Sequence, residues 1–169
     1  MLNDIKKELY FDVNGAEINI ALLENKKLVE LTRETKNKGF LVGDIFYAKV
    51  RKIVSGLNAA FINVGYEKDA FLHYSDIGPQ FLSIKKYLNN QLSTNGYVDI
   101  SEYSLEKEVE KSGKISDVLS VGDKLMVQVV KEPIHNKGPR ITAEISIAGR
   151  YVVLIPFSNK ISVSLKIKN

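Results

Sequence analysis

Along most of this chain apolar and polar residues alternate with a period of two, the pattern of strands that bury one face. Glu8 to Val13, Glu17 to Glu24 and Lys27 to Glu34 read as three strands. Ile18, Ile20 and Leu22 share one face of the second. Leu28 and Glu30 face opposite to Val29 and Leu31 in the third. Asn14-Gly15 and Asn25-Lys26 are turn dipeptides, so the three strands predict an antiparallel meander. A meander of this size is marginal without a second layer to cover it.

A polar, basic break, Lys36-Asn37-Lys38-Gly39, precedes a second all-β unit. Its predicted strands are Asp44–Ile53, Leu57–Gly65, Asp69–Tyr74, Lys124–Val130 and Arg140–Ser146. Ser55-Gly56 and Gly65 to Lys68 supply the first turns. Ile115 to Leu119 gives one helical turn, and Val121-Gly122-Asp123 turns into the fourth strand. The loop to the fifth holds Pro133, Gly138 and Pro139. Five strands with a helical turn between the third and fourth predict an OB-type barrel. Such barrels present oligonucleotides on the face of strands two and three. A sandwich fragment and an SH3-like barrel stay open on pattern alone.

The faces of these strands carry the candidate chemistry. Phe46, Ala48 and Val50 form one face of the first strand; Tyr47, Lys49 and Arg51 form the other. Ala60, Ile62 and Val64 line the apolar face of the second, which leaves Phe61 beside Asn63. In the third, Ala70, Leu72 and Tyr74 oppose Phe71, which lies between Asp69 and His73. Two phenylalanines on the polar faces of neighbouring strands are poor core residues. They suit stacking with unpaired bases, every one of which offers a π-face. The competing reading, rings packed under a loop or second domain, stays open.

Residues 78–113 interrupt the second unit. Leu88 to Asn95 is Asn-rich and is expected to be a mobile loop. Tyr103 to Lys111, with Leu105 and Val109 four apart, predicts a short helix. The whole stretch reads as a solvated surface insertion. Near the end, Tyr151–Pro156 and Ile161–Lys166 are strand candidates. A basic strand stopping abruptly at Asn169 predicts a piece of something longer.

Charge changes this picture only through its distribution. The 24 Lys+Arg and 20 Asp+Glu give a mild +4. From Lys131 to Asn169 seven basic residues face two acids, whereas Tyr97 to Lys111 holds five acids and two lysines. A polyanion would approach the first and avoid the second. The absence of cysteine among the 169 residues excludes disulfides and thiolate zinc sites in this chain and fits a cytoplasmic protein. No apolar run is long enough for a membrane span, and no signal peptide is expected. His73 and His135 are the only histidines; nothing in the sequence supports a two-histidine metal site, and both read as surface residues. Asp69, Asp76, Asp117 and Asp123 fall at turns and strand ends without metal-ligand spacing.

Several segments, taken in order, resemble the N-terminal part of the bacterial ribonuclease E/G family. They are Val42–Phe46, Leu57–Gly65, Glu67–His73, Ile115–Leu119, Asn136–Arg140 and Ser146–Pro156. Each alone is weak, and the ordered set is specific. The resemblance implies an S1-type OB barrel, about 38–145 with the insertion at 78–113, set into an incomplete RNase H-like subdomain. That subdomain would comprise 1–37 and 146–169. It also implies that Phe61, Phe71 and Lys137 grip single-stranded RNA; the alternation adds Tyr47, Lys49, Arg51 and His73 on the matching polar faces as further candidates. Gly149 and Val153 correspond to positions of a pocket for the RNA 5′-phosphate.

The family's catalytic aspartates, which hold a magnesium ion, are expected downstream, as is the cysteine-held zinc link that makes the whole protein a homo-oligomer. This chain is therefore expected to bind RNA without cofactor and not to cut it. The alternative is a stand-alone OB-fold RNA-binding protein without nuclease activity. An interaction module built on residues 78–113 has no positive support.

Overall fold

The structure is a computed structural model that describes residues 5–35, 40–93, 103–149 and 152–160. The chain divides into two compact units, Met1–Gly39 and Phe40–Asn169. The expected break at 36–39 and the strand candidate at 161–166 lie outside the described residues, as do Asn95 and Tyr151.

The first unit is the antiparallel meander β1 (Lys7–Asn14), β2 (Glu17–Glu24) and β3 (Lys27–Thr35). Leu9 pairs with Leu22, and Phe11 with Ile20. Asn25 and Lys26 both adopt positive φ, 49° and 65°, the geometry of a two-residue hairpin turn that follows strand twist. The first turn is centred one residue later than the dipeptide signal suggests. Asn14 still pairs with Glu17, and Gly15 takes the positive φ of 58°. Leu9, Tyr10, Phe11, Val13, Leu28, Val29 and Leu31 are each more than half exposed.

The second unit is built on a closed five-stranded barrel of β4 (Ile45–Val54), β5 (Ala59–Asn63), β6 (Ala70–His73), β7 (Lys124–Lys131) and β8 (Arg140–Thr142). The order round the barrel is β4-β5-β6-β8-β7, with β7 returning to β4. Only the β6–β8 pairing is parallel. This is an OB-fold barrel, and the chain is mainly β. Its interior is filled by the alternate residues that the pattern put on one face: Ala48 and Val50, Ala60 and Ile62, Ala70 and Leu72, then Leu125, Val127, Val129 and Ile141. Alanines at 48, 60 and 70 leave room for the branched side chains opposite. The fifth strand is shorter than expected. It ends at Thr142, because the chain bends through Ala143-Glu144 before the two-residue pair β9 (Ile147–Ala148) and β10 (Val153–Leu154).

Between β6 and β7 the structure corrects the sequence reading. The stretch expected as a mobile loop is, as far as Ser93, the end of a helix, α1 (Phe81–Ser93). Residues Tyr103–Lys111, expected as a helix, form no regular element. α1 buries Phe81, Ser83 and Ile84 and packs Leu82 against the barrel core, all in its first turn, ahead of the Asn-rich turns that obscured the helix. Two backbone donors of 103–111 bond outside the stretch. Glu106 N–H donates to Ser83 Oγ at 3.0 Å and Val109 N–H to Pro79 O at 2.9 Å. An irregular strap held by Ser83 and Pro79 therefore replaces the i→i−4 ladder of a helix.

Nor is the insertion merely a solvated surface feature. Phe81 is 2 % exposed and belongs to the barrel's own core, with Val109 packed against it. Lys85 Nζ reaches Asp123 Oδ2 at 2.6 Å, at the turn before β7. Burial pushes the Asp123 carboxyl up, but hydrogen bonds from Lys85 and the Ser120 N–H outweigh it and hold the group below its ordinary value. After the strap comes the expected helical turn, α2 (Ile115–Val118). Asn58, with φ of 47°, ties it down: its Nδ2 donates to Gly113 O at 2.9 Å, and its Oδ1 accepts from Ile115 N–H at 2.7 Å.

Candidate nucleic-acid interface

Ala60, Ile62, Ala70 and Leu72 are fully buried, so strand alternation forces Phe61 and Phe71 to the outside of the barrel. The two are direct cross-strand partners. Their rings meet edge to face, with centroids 5.8 Å apart and planes at 68°. Both are half-buried, and neither belongs to the core.

The β7–β8 loop brings Lys137 to these rings. Lys137 N–H donates to Ile134 O at 3.0 Å, closing a tight turn in which His135 takes a φ of 51°. The loop is then pressed against the start of β6. Phe71 N–H donates to Pro139 O at 2.9 Å. A Cβ at Gly138 would stand 2.1 Å from Asp69 O, so only glycine permits this approach.

Phe61, Phe71 and Lys137 thus line one open hollow of about 670 Å³. Lys68, Lys131 and Arg140 share its walls, against Asp69 and Glu132, so the cations outnumber the acids. Among the described residues Lys68, Lys131 and Lys137 form no ion pair with a carboxylate. Such a hollow offers two aromatic rings beside ammonium groups without a carboxylate partner, a combination suited to an unpaired strand.

The remaining candidates are placed differently. Arg51 stands at the edge, its Nε 3.6 Å from Asp69 Oδ1. Tyr47 and Lys49 lie further along the outer face of β4, in register with β7, and do not line the hollow. Lys124 Nζ sits 6.0 Å from the centre of the Tyr47 ring. His73 is turned to its own backbone, where its Nδ1 accepts from Ser75 N–H at 3.1 Å. Gly149 and Val153 belong to the β9–β10 hairpin. Gly149 N–H donates to Val152 O at 2.8 Å and is engaged within the chain, while Val153 is 58 % exposed and not a core residue. Sequence reasoning missed Lys68, Lys131 and Arg140. Lys131 was visible only in the basic excess after residue 130, whereas Arg140 and Lys68 lay inside the family-like segments Asn136–Arg140 and Glu67–His73 without a role attached.

No family model matches the chain. Individual proteins do. A ribonuclease E/G-like protein of Pyropia yezoensis is 42 % identical over 132 residues, 78 % of this chain and 21 % of the relative. Ribonuclease G of Escherichia coli strain K12 is 31 % identical over 162 residues, 96 % of this chain and 29 % of the relative. Ribonuclease G of Haemophilus influenzae is 34 % identical over the same length. By sequence the chain belongs to the ribonuclease E/G family. It spans less than a third of the length of these relatives.

Membership of the ribonuclease E/G family raises the question of a catalytic metal. The carboxylates described here do not fit one. Asp76 is forked by Arg140, Asp123 is held by Lys85, and Asp69 faces Arg51. No group of three or more His, Asp or Glu converges among the described residues. Also among them, no helix is long and apolar enough to cross a membrane.

Proposed function

We propose that this chain is the RNA-gripping segment of an endoribonuclease of the E/G type, and that its S1-type barrel binds single-stranded RNA. One observation carries the reading. Phe61, Phe71 and Lys137 come from separate stretches of chain and meet at one hollow on the outer face of the second and third barrel strands, the face OB folds use for oligonucleotides. A base stacked on either ring is worth about 1–3 kcal/mol, and every base stacks, so binding tolerates many sequences. Lys137 adds a phosphate contact and with it a dependence on salt.

On this reading the magnesium-dependent cut is made by parts of the whole enzyme beyond residue 169, and the RNase H-like subdomain includes β1–β3, whose exposed apolar side chains it covers. The test is a titration of the 169-residue chain with a fluorescent single-stranded RNA 10-mer. Phe61→Ala and Phe71→Ala are each expected to weaken binding at least fivefold while the melting temperature stays near that of the parent. Normal affinity in both variants refutes the stacking role.

A further inference from the structure

Phe61 pairs with Phe71, Phe71 with Arg140 and Arg140 with Lys131, so one rung of the barrel runs across four strands from β5 to β7. It begins with two rings and ends with two cations. Neighbouring strands lie about 4.8 Å apart, so the rung spans about 14 Å, room for more than one nucleotide step.

The cations are not an ordinary cross-strand pair. Like charges directly opposite each other on antiparallel strands destabilise the pairing. One carboxylate answers one of them. Arg140 Nε donates to Asp76 Oδ2 at 3.1 Å, and Nη2 reaches Oδ1 at 3.1 Å and Oδ2 at 2.9 Å. Asp76 is itself fixed to the same strand, since its backbone oxygen accepts from Thr142 Oγ1 at 2.7 Å and from Ala143 N–H at 2.9 Å. The guanidinium is therefore held in one orientation by its Nε–Nη2 edge. Nη1 has no partner among the described residues, and the side chain is 52 % exposed. A planar donor with one edge fixed and the other open is preorganised for a phosphate. Lys131, unpaired, stands next to it.

Arg140 and Lys131 also form the wall between the ring hollow and a second hollow of about 550 Å³ beside it. The second hollow carries Asp76 and Glu144 against the same two cations, so its floor adds no net positive charge. The cationic wall, and not the second hollow, is what attracts an anion.

We propose that Arg140 and Lys131 are a second phosphate-binding point, engaging the RNA backbone where it leaves the rings, with Asp76 as the positioning residue for Arg140. This rests on the single-stranded RNA reading above and extends it beyond Phe61, Phe71 and Lys137.

The experiment is a salt-dependent titration of the 169-residue chain with the same RNA 10-mer. Parent, Lys131→Gln, Arg140→Gln, Arg140→Lys and Phe61→Ala are compared. Each phosphate contact contributes about −0.7 to the slope of log affinity against log salt for a single strand. Lys131→Gln and Arg140→Gln are each expected to make the slope shallower by about 0.7 and to weaken binding about fivefold at low salt. Arg140→Lys is expected to keep the slope and lose affinity, because charge survives and the fork does not. Lys131 has no folding partner to lose, so its variant reports on RNA even if Arg140→Gln melts early. Unchanged slopes in both Gln variants, with Phe61→Ala still losing affinity, overturn this proposal and leave the stacking reading standing. A parent chain that does not bind the RNA overturns both.

Discussion

Gly138 lies so close to Asp69 that a side-chain carbon at Gly138 would stand 2.1 Å from the Asp69 carbonyl oxygen, inside any allowed contact. This approach lets the Pro139 carbonyl reach the Phe71 N–H, and it sets Lys137 beside the rings. Gly138→Ala must push the loop off β6. It is expected to cost about 1–3 kcal/mol of stability by thermal melting. It is also expected to weaken RNA binding as much as Lys137→Ala does, although it removes no charge.

The edge-to-face contact makes Phe61 and Phe71 one unit. Removing either ring takes away a stacking surface and frees its partner to reorient. An aromatic pair of this kind contributes about 0.5–1.5 kcal/mol beyond burial. In a double-mutant cycle on RNA affinity, Phe61→Ala plus Phe71→Ala is therefore expected to lose less than the sum of the single changes. Strict additivity would mean that the rings act separately.

Asn58 links the β4–β5 turn to the end of the insertion by two hydrogen bonds while holding a left-handed backbone. Asn58→Ala loses both bonds and meets backbone strain, an expected cost of about 2–3 kcal/mol. Asn58→Gly keeps the backbone geometry and loses only the bonds, so it is expected to melt between the parent and the alanine variant. Equal melting of both variants would assign the whole cost to the lost bonds.

The Lys85–Asp123 pair makes acid stability measurable at one place. Both side chains are mostly buried, at 22 % and 27 % exposed. The folded chain holds the Asp123 carboxyl below its ordinary value of 3.8. A lowered folded value contributes stability that is present above 3.8 and is lost as pH falls through the folded value. Asp123→Asn is therefore expected to destabilise the chain by about 1 kcal/mol at neutral pH. That difference should shrink below about pH 4. A difference that stays constant down to pH 3 would show that the pair does not contribute through charge.

Period-two alternation made the barrel legible. It put Ala60, Ile62, Ala70 and Leu72 inside and Phe61 and Phe71 outside, and the structure agrees at each position. The insertion was not legible. The buried residues of α1, Phe81, Ser83 and Ile84, all fall in its first turn, followed by asparagines that weaken the helical signal. The strap at 103–111 owes its course to Ser83 and Pro79, partners some 20 to 30 residues away that no local pattern reveals. The same holds for the site. The rings could be read from alternation, but the convergence of Arg140 and Lys131 beside them is a matter of barrel register, and a sequence does not display which strands become neighbours.

Phe81 enters the barrel's interior, and Gly113 leaves no space for a side chain, since its Cβ would fall 2.2 Å from the Tyr74 hydroxyl. What looks in sequence like an accessory graft is rooted at both ends. Shortening it to a simple turn would open a void where the phenylalanine sat and free the tyrosine, so a minimal version of this domain has to keep both roots.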